Sequence, residues 1–202
     1  MKKVAIIGAG LVGGLLAVYL AKRGHRVSVF ERRTDIRKMK IVQGRSINLA
    51  LSDRGWRGLR EAGIEDAIRK IALPMNGRLM HARNGELTFQ PYGKEGQAIY
   101  SVSRGVLNQV LLDCADEFEN VSLHFNERCE NVDVKNGSVE FVNEKGGTSQ
   151  QSFDHVFGTD GAFSAVRTSM MKQDRFVYSQ DYLEHGYKDP RPMSADRQPR
   201  HR

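Results

Sequence analysis

Long apolar runs are missing from this sequence. No stretch of about 18 apolar residues occurs, so no transmembrane helix is expected. The one apolar stretch near the start, residues 4–20, is interrupted by Gly8, Gly10, Gly13 and Gly14 and lacks a small-residue cleavage site. That pattern argues against a secretory signal and leads us to expect a cytoplasmic protein. Cysteine is scarce: Cys114 and Cys129 are the only two, with no C-x-x-C and no clustering with histidine, which predicts reduced, buried thiols. His81, His124, His155 and His185 are scattered, with no pair at ligand spacing on one element, so no metal site is expected. A G-x-S-x-G elbow and a Cys–His pair are absent, which leaves no candidate catalytic nucleophile. There is no internal repeat. An aromatic platform or recognition-helix signature is lacking too, so nucleic acid is not an expected partner.

What remains is an ordinary globular composition. The 202 residues are 40% hydrophobic and 27% charged, enough for one core and a satellite subdomain. The net charge of +7 is unevenly placed: residues 1–60 hold 14 Lys and Arg against 3 Asp and Glu, and the other 142 residues hold 17 against 21. Such a bias suits an anionic ligand bound by the N-terminal third, or a solvated basic face.

The periodicity predicts a strand at 4–7, a glycine-rich turn at 8–14, a helix at 11–23 stopped by Gly24, and a second strand at 26–30. These make a strand–helix–strand unit with parallel strands. Residues 32–45 form a long charged loop, a candidate for function. Ser52 reads as the N-cap of a helix to about Ala62, followed by a short helix near 64–71. From Asn76 the period is two, with strands 77–83 and 86–90 around Asn84-Gly85. A strand at 98–102, a helix at 105–118, strands at 121–125, 129–134, 138–142 and 148–153, a returning parallel strand at 155–158 and a helix at 164–171 follow. Residues 188–202 hold three prolines and five basic residues with almost nothing to bury, and read as disordered or non-native.

Gly8-x-Gly10-x-x-Gly13 is weak alone and gains weight from its strand–turn–helix setting. Gly8 allows the tight turn, Gly10 lets backbone approach a pyrophosphate, and Gly13 lets helix pack on strand. The pyrophosphate would rest on the helix N-terminus. Glu31, 18 residues past Gly13 at the end of the second strand, is an acceptor-only group suited to two ribose hydroxyls. FAD and NAD both fit this first motif. A second, Asp160-Gly161-Ala162-Phe163-Ser164-Ala165-Val166-Arg167, follows the returning strand: Gly161 offers backbone access, Ser164 can cap the helix, and Asp160 can reach a ribose or a structural water.

This second motif resembles the D-G-x-x-S-x-V-R element of the class A flavoprotein aromatic hydroxylases, and Ser101-Val-Ser-Arg104 before a helix resembles their flavin-contacting arginine. Gly44-Arg-Ser-Ile-Asn-Leu-Ala-Leu-Ser52, Arg78-Leu-Met-His81, Pro91-Tyr92-Gly93, Tyr100-Ser-Val-Ser-Arg104, His124-Phe-Asn126 and Tyr178-Ser-Gln180 with His185-Gly-Tyr187 are similar to the kynurenine 3-monooxygenase family, from Lys2 to about Tyr187. The resemblance implies an α/β Rossmann-type FAD-binding domain with a parallel sheet and an inserted or appended antiparallel segment. In that reading 1–172 is the FAD-binding domain with part of the substrate pocket at about 74–100. Residues 173–187 would begin a substrate domain that is largely missing, ahead of the unpatterned 188–202. It further implies FAD contacts at Val12, Phe30, Glu31, Arg32, Arg33, Ala50, Arg104, Cys129 and Ala165, and substrate contacts at Arg78 and Tyr92. The partners implied are L-kynurenine, NADPH as co-substrate and O2. Chemically, a kynurenine carboxylate suits a bidentate arginine completed by a tyrosine hydroxyl, although Arg78 on an alternating strand could equally be solvated. A hydroxylase for another aromatic acid and a non-catalytic FAD-binding piece share the same cofactor reading.

Overall fold

The computed structural model describes residues 1–39 and 48–185. Part of the charged loop after the second strand, residues 40–47, and the unpatterned tail 188–202 lie outside the described residues, as do Gly186 and Tyr187.

The centre is a four-stranded parallel sheet made of β1 (Lys3–Ile7), β2 (Arg26–Glu31), β8 (Val121–Phe125) and β12 (His155–Gly158), in the order β12-β1-β2-β8. Strand β1 is apolar from Val4 to Ile7 without alternation because both of its faces are buried, as parallel sheets require. Ile6, with Val27 and Val29 of β2, faces one core; Ala5 and Ile7, with Phe30, face the other. The first core is closed by α1 (Leu11–Lys22), α2 (Asp53–Ala62) and α4 (Arg104–Asp116). Helix α1 is apolar on nearly all sides and packs so closely on α4 that a Cβ at Gly14 would lie 3.2 Å from Leu111 Cβ. Helix α2 presents Trp56, Leu59 and Ala62 inward at a spacing of three and its charges outward, the stripe expected of a surface helix.

The second core lies under an antiparallel sheet of β9 (Glu127–Asp133), β10 (Ser138–Asn143) and β11 (Thr148–Ser152) in the order β11-β10-β9. Val139 and Phe141 of β10 point onto Phe30, whose ring stacks on Phe141 at 4.1 Å. Helix α5 (Ala165–Met171) adds Val166. The predicted strand at 121–125, read only as one of a series, belongs to the parallel sheet beside β2.

Two smaller sheets complete the fold, the first of them adding Val102 to the first core. β3 (Asn48–Leu51) and β4 (Leu73–Met75) flank β7 (Ile99–Ser103) in a three-stranded sheet, and β5 (Gly77–His81) pairs with β6 (Leu87–Pro91) as a hairpin. A short 3-10 turn (Ile36–Lys38) follows β2, and α3 (Glu65–Arg69) follows α2. The Asn84-Gly85 signal does make a hairpin. Gly85 takes φ +87° and its N–H reaches Ala82 O, so the connection is the three-residue kind with a left-handed glycine. Ser52 precedes α2 as expected but makes no side-chain cap hydrogen bond.

Candidate active site

The glycine turn between β1 and α1 is built by close approaches of backbone. Gly8 has φ +101°, and a Cβ there would sit 2.6 Å from Thr159 O, on the turn that leaves β12. A Cβ at Gly13 would sit 1.9 Å from Gly8 O, so only glycine lets α1 start this close to the strand. At Gly10 a Cβ would meet nothing within 4 Å, leaving open space beside the start of the helix. Helix α1 has no acidic residue in its first turn and no side-chain cap, so its first N–H groups are left for an anion.

Three side chains from distant elements hold this turn. Glu31 Oε2 accepts from the Ala9 N–H at 3.0 Å while its Oε1 accepts from the Arg33 N–H at 3.0 Å. Thr159 Oγ1 reaches the carbonyls of Ile7 at 2.8 Å and Gly8 at 2.7 Å. Asn108 Nδ2 donates to Ala9 O at 3.2 Å. Thr159 and Asn108 are not predicted by the sequence, because side-chain bonds to a remote backbone leave no spacing signature.

An open cleft of about 210 Å³ runs from this turn along the end of the sheet. Of the predicted residues, Gly8, Phe30, Glu31, Arg32, Cys129, Asp160 and Ala165 line it; Glu127, Arg128, Glu130 and Phe163 join them without a sequence signal. Phe163, between Asp160 and α5, is almost fully exposed. Burial, with the Asp160 carboxylate second, pushes the Cys129 thiol up to about 12, so it lines the cleft as a neutral S–H. Arg128 pairs with Glu130. Asp160 is engaged locally: Oδ1 accepts from Ser164 Oγ at 2.6 Å and Oδ2 from the Ala165 N–H at 2.7 Å. Ser164 in turn accepts from the Arg167 N–H at 3.0 Å, the helix cap expected of it. Asp160 thus orients the start of α5, and Gly161 at φ +83° makes the turn between them.

The other predicted residues fall outside that lining. Val12 is exposed on the first turn of α1 and Arg33 is exposed just after β2. Ala50 pairs with Ser101 in the β3–β7 ladder, and Arg104 opens α4 directly after β7, so these two share one locality. Arg78 and Tyr92 lie on the β5–β6 hairpin. The register pairs Arg78 with Gln90, and the Tyr92 N–H reaches Asn76 O at 2.9 Å, which puts Arg78 and Tyr92 on the same face. Arg78 Nε and Nη2 both donate to Gln90 Oε1, at 2.8 and 2.6 Å. Among the described residues no helix is long and apolar enough to cross a membrane, and no cluster of His, Cys, Asp and Glu could hold a metal ion.

A parallel sheet, a G-x-G-x-x-G turn against a helix N-terminus and an acidic residue ending the second strand define a dinucleotide-binding domain of the Rossmann type. The chain belongs to the FAD binding domain family, whose model matches residues 1–183. It is 51% identical over 189 residues to the kynurenine 3-monooxygenase of Christiangramia forsetii, covering 93% of this chain and 42% of that protein. Identity to the enzyme of the same name from Flavobacterium johnsoniae is 45%, covering 96% and 44%, and to that of Anopheles gambiae 47%, covering 91% and 38%. The chain therefore spans about two fifths of the length of these relatives. Among solved structures, the fold is similar to the flavin-dependent monooxygenase PieE in complex with FAD and substrate, with TM-score 0.71, 18% identity and coverage of 84% of this chain and 32% of that one. It is also similar to the tetrameric form of 2-methyl-3-hydroxypyridine-5-carboxylic acid oxygenase, with TM-score 0.68, 19% identity and coverage of 84% and 42%.

Proposed function

We propose that this chain is the FAD-binding part of an NADPH-consuming monooxygenase that hydroxylates L-kynurenine to 3-hydroxykynurenine with O2. The observation that carries the reading is the Ala9–Gly10 turn, open beside Gly10 and tied through Glu31, in a chain so similar to proteins of that name. FAD, when bound, supplies the redox and oxygen chemistry. The residues of this chain bind and orient it: Gly8, Gly10, Val12 and Gly13 at the pyrophosphate, and Glu31 with Phe30, Arg32 and Arg33 at the adenosine. Ala50, Arg104, Cys129, Asp160, Gly161 and Ala165 complete the contacts. Cys129, held neutral, adds an apolar wall rather than a nucleophile. In the same reading, residues 1–172 form the FAD-binding domain, 74–100 contribute to the substrate pocket, and 173–187 lead into a substrate domain. Two free cysteines suit the cytoplasmic setting proposed with it.

Arg78 and Tyr92 are the proposed clamp for the substrate carboxylate. Gln90 Oε1 takes the Nε–Nη2 side of the Arg78 guanidinium, which fixes the group's direction and points the proposed carboxylate contact to its Nη1–Nη2 side. The direct test is to record the flavin spectrum of the purified chain, then assay kynurenine-stimulated NADPH oxidation and hydroxylated product in a protein that continues into the second part of these relatives. Flavin binding with kynurenine-dependent oxidation supports the proposal. A phenolic acid stimulating oxidation where kynurenine fails overturns the substrate. In that longer protein, Arg78→Lys should raise the kynurenine concentration for half-maximal rate about tenfold, because an ammonium loses the second parallel bond, and leave the flavin spectrum unchanged. Unaltered kynurenine dependence would remove Arg78 from the clamp.

A further inference from the structure

Ala9 is held at both of its polar backbone groups by side chains far away in sequence. Its N–H is taken by Glu31, and its C=O receives Asn108 Nδ2 at 3.2 Å. The Ala9 carbonyl and the Gly10 N–H belong to one planar trans peptide, in which the two bonds point in opposite directions. A donor that pins the carbonyl toward α4 therefore turns the Gly10 N–H away from α4, at a residue where a Cβ would meet nothing within 4 Å. Arg104, Asn108 and Leu111 recur along one face of α4 at helical spacing, and Leu111 is the residue nearest a Gly14 Cβ. The stripe of α4 that carries Arg104 thus lies along the first turn of α1, and Asn108 is its polar link to the glycine turn.

We infer that Asn108 is a positioning residue for the pyrophosphate of the cofactor, acting through the Ala9–Gly10 peptide; the inference rests on the FAD reading above. It touches no reacting atom. A second feature separates this role from simple helix packing. Asn108 Oδ1 is buried and has no hydrogen-bond partner among the described residues, an arrangement that costs stability. Only the donating half of the amide is used, as expected where the side chain is retained for what it orients and not for what it adds to the fold.

The test compares the parent with Asn108→Leu and Asn108→Asp, each stripped of flavin, by thermal unfolding and by FAD titration read through quenching of flavin fluorescence between pH 5 and 8. Leucine has nearly the same volume, favours the helix and removes the unpaired acceptor. Losing the unpaired acceptor offsets losing the bond to the Ala9 carbonyl, so the unfolding temperature should change little, while FAD binding weakens about five- to tenfold at every pH, the loss of roughly one hydrogen bond. Aspartate cannot donate to Ala9 O when ionised and can when protonated, and burial against that carbonyl raises its pKa into the titrated range. Its FAD affinity should therefore be low at pH 8 and recover toward the parent as pH falls, a profile the parent lacks. Asn108→Leu binding FAD as tightly as the parent overturns the inference. So does an Asn108→Asp affinity without pH recovery, or a fall in unfolding temperature that tracks the loss of affinity in both variants. A parent chain that binds no FAD overturns the cofactor reading itself, and is seen before any variant is made.

Discussion

Glu31, proposed above as a contact of the adenosine, has both of its oxygens taken by backbone N–H groups. Glu31→Gln would turn an amide NH2 toward one of those donors, so the variant loses a charge-assisted bond to the turn as well as to the adenosine. Such a bond contributes about 1.5–3 kcal/mol, and FAD affinity should fall about tenfold or more in a fluorescence titration; retention of parental affinity would contradict the assignment. The glycines separate in a similar way. Gly10→Ala places a methyl in the open space beside the helix start, so flavin affinity should drop while the unfolding temperature of the flavin-free protein stays put. Gly14→Ala meets Leu111 at 3.2 Å, a packing contact with α4 and not the open space found at Gly10, and should keep flavin affinity within about twofold while stability changes, since helix propensity alone is worth up to about 1 kcal/mol. Equal loss of flavin in the two would remove the distinction.

At the scale of elements, most strands and helices were legible because the hydrophobic period changes with them: the run Val4–Ile7, the stripe Trp56–Leu59–Ala62, the alternation about Asn84-Gly85. β3 and β4 were not, because Leu73-Pro74-Met75 is three residues long with a proline and Asn48–Leu51 spans four residues, too few for its alternation to stand out. The placement of β8 was also hidden, since an alternating strand looks alike in a parallel or an antiparallel sheet. The site was legible in its glycines and Glu31, whose constraints are local, and illegible in Thr159, Asn108 and the capping role of Asp160, whose partners are set by tertiary packing. The turn after β2 gives a stability test. Arg37 binds Asp35 at 2.8 Å and reaches across to Asp116 of α4 at 2.8 Å, and Asp35 is 4% exposed. Hydrogen bonds from Arg37 hold the Asp35 carboxyl below its ordinary range. A carboxyl lowered on folding contributes stability above its unfolded pKa and loses it as pH falls through the folded value. Arg37→Ala should therefore cost about 2–3 kcal/mol at pH 7 by urea unfolding, the scale for leaving a mostly buried charge without its partner. The gap to the parent should narrow below about pH 4, where the unfolded carboxyl is protonated. A pH-independent gap would show that Arg37 acts only through packing.

For the whole molecule, the decisive connection is the pairing of β1 with β12, which joins Val4 to His155 and brings the Lys3 N–H to Asp154 at 2.6 Å. It also delivers Thr159 to the glycine turn. The first strand cannot fill its place until more than 150 residues have followed it, and closing a loop of that length is entropically costly and kinetically late. During synthesis the chain emerges from its N-terminus, so β1, α1 and β2 leave the ribosome early with one flank of β1 uncovered and the carbonyls of Ile7 and Gly8 without their threonine. The glycine turn is translated well before β12 and is completed only when β12 has paired, which makes flavin capture a report that the sheet has closed.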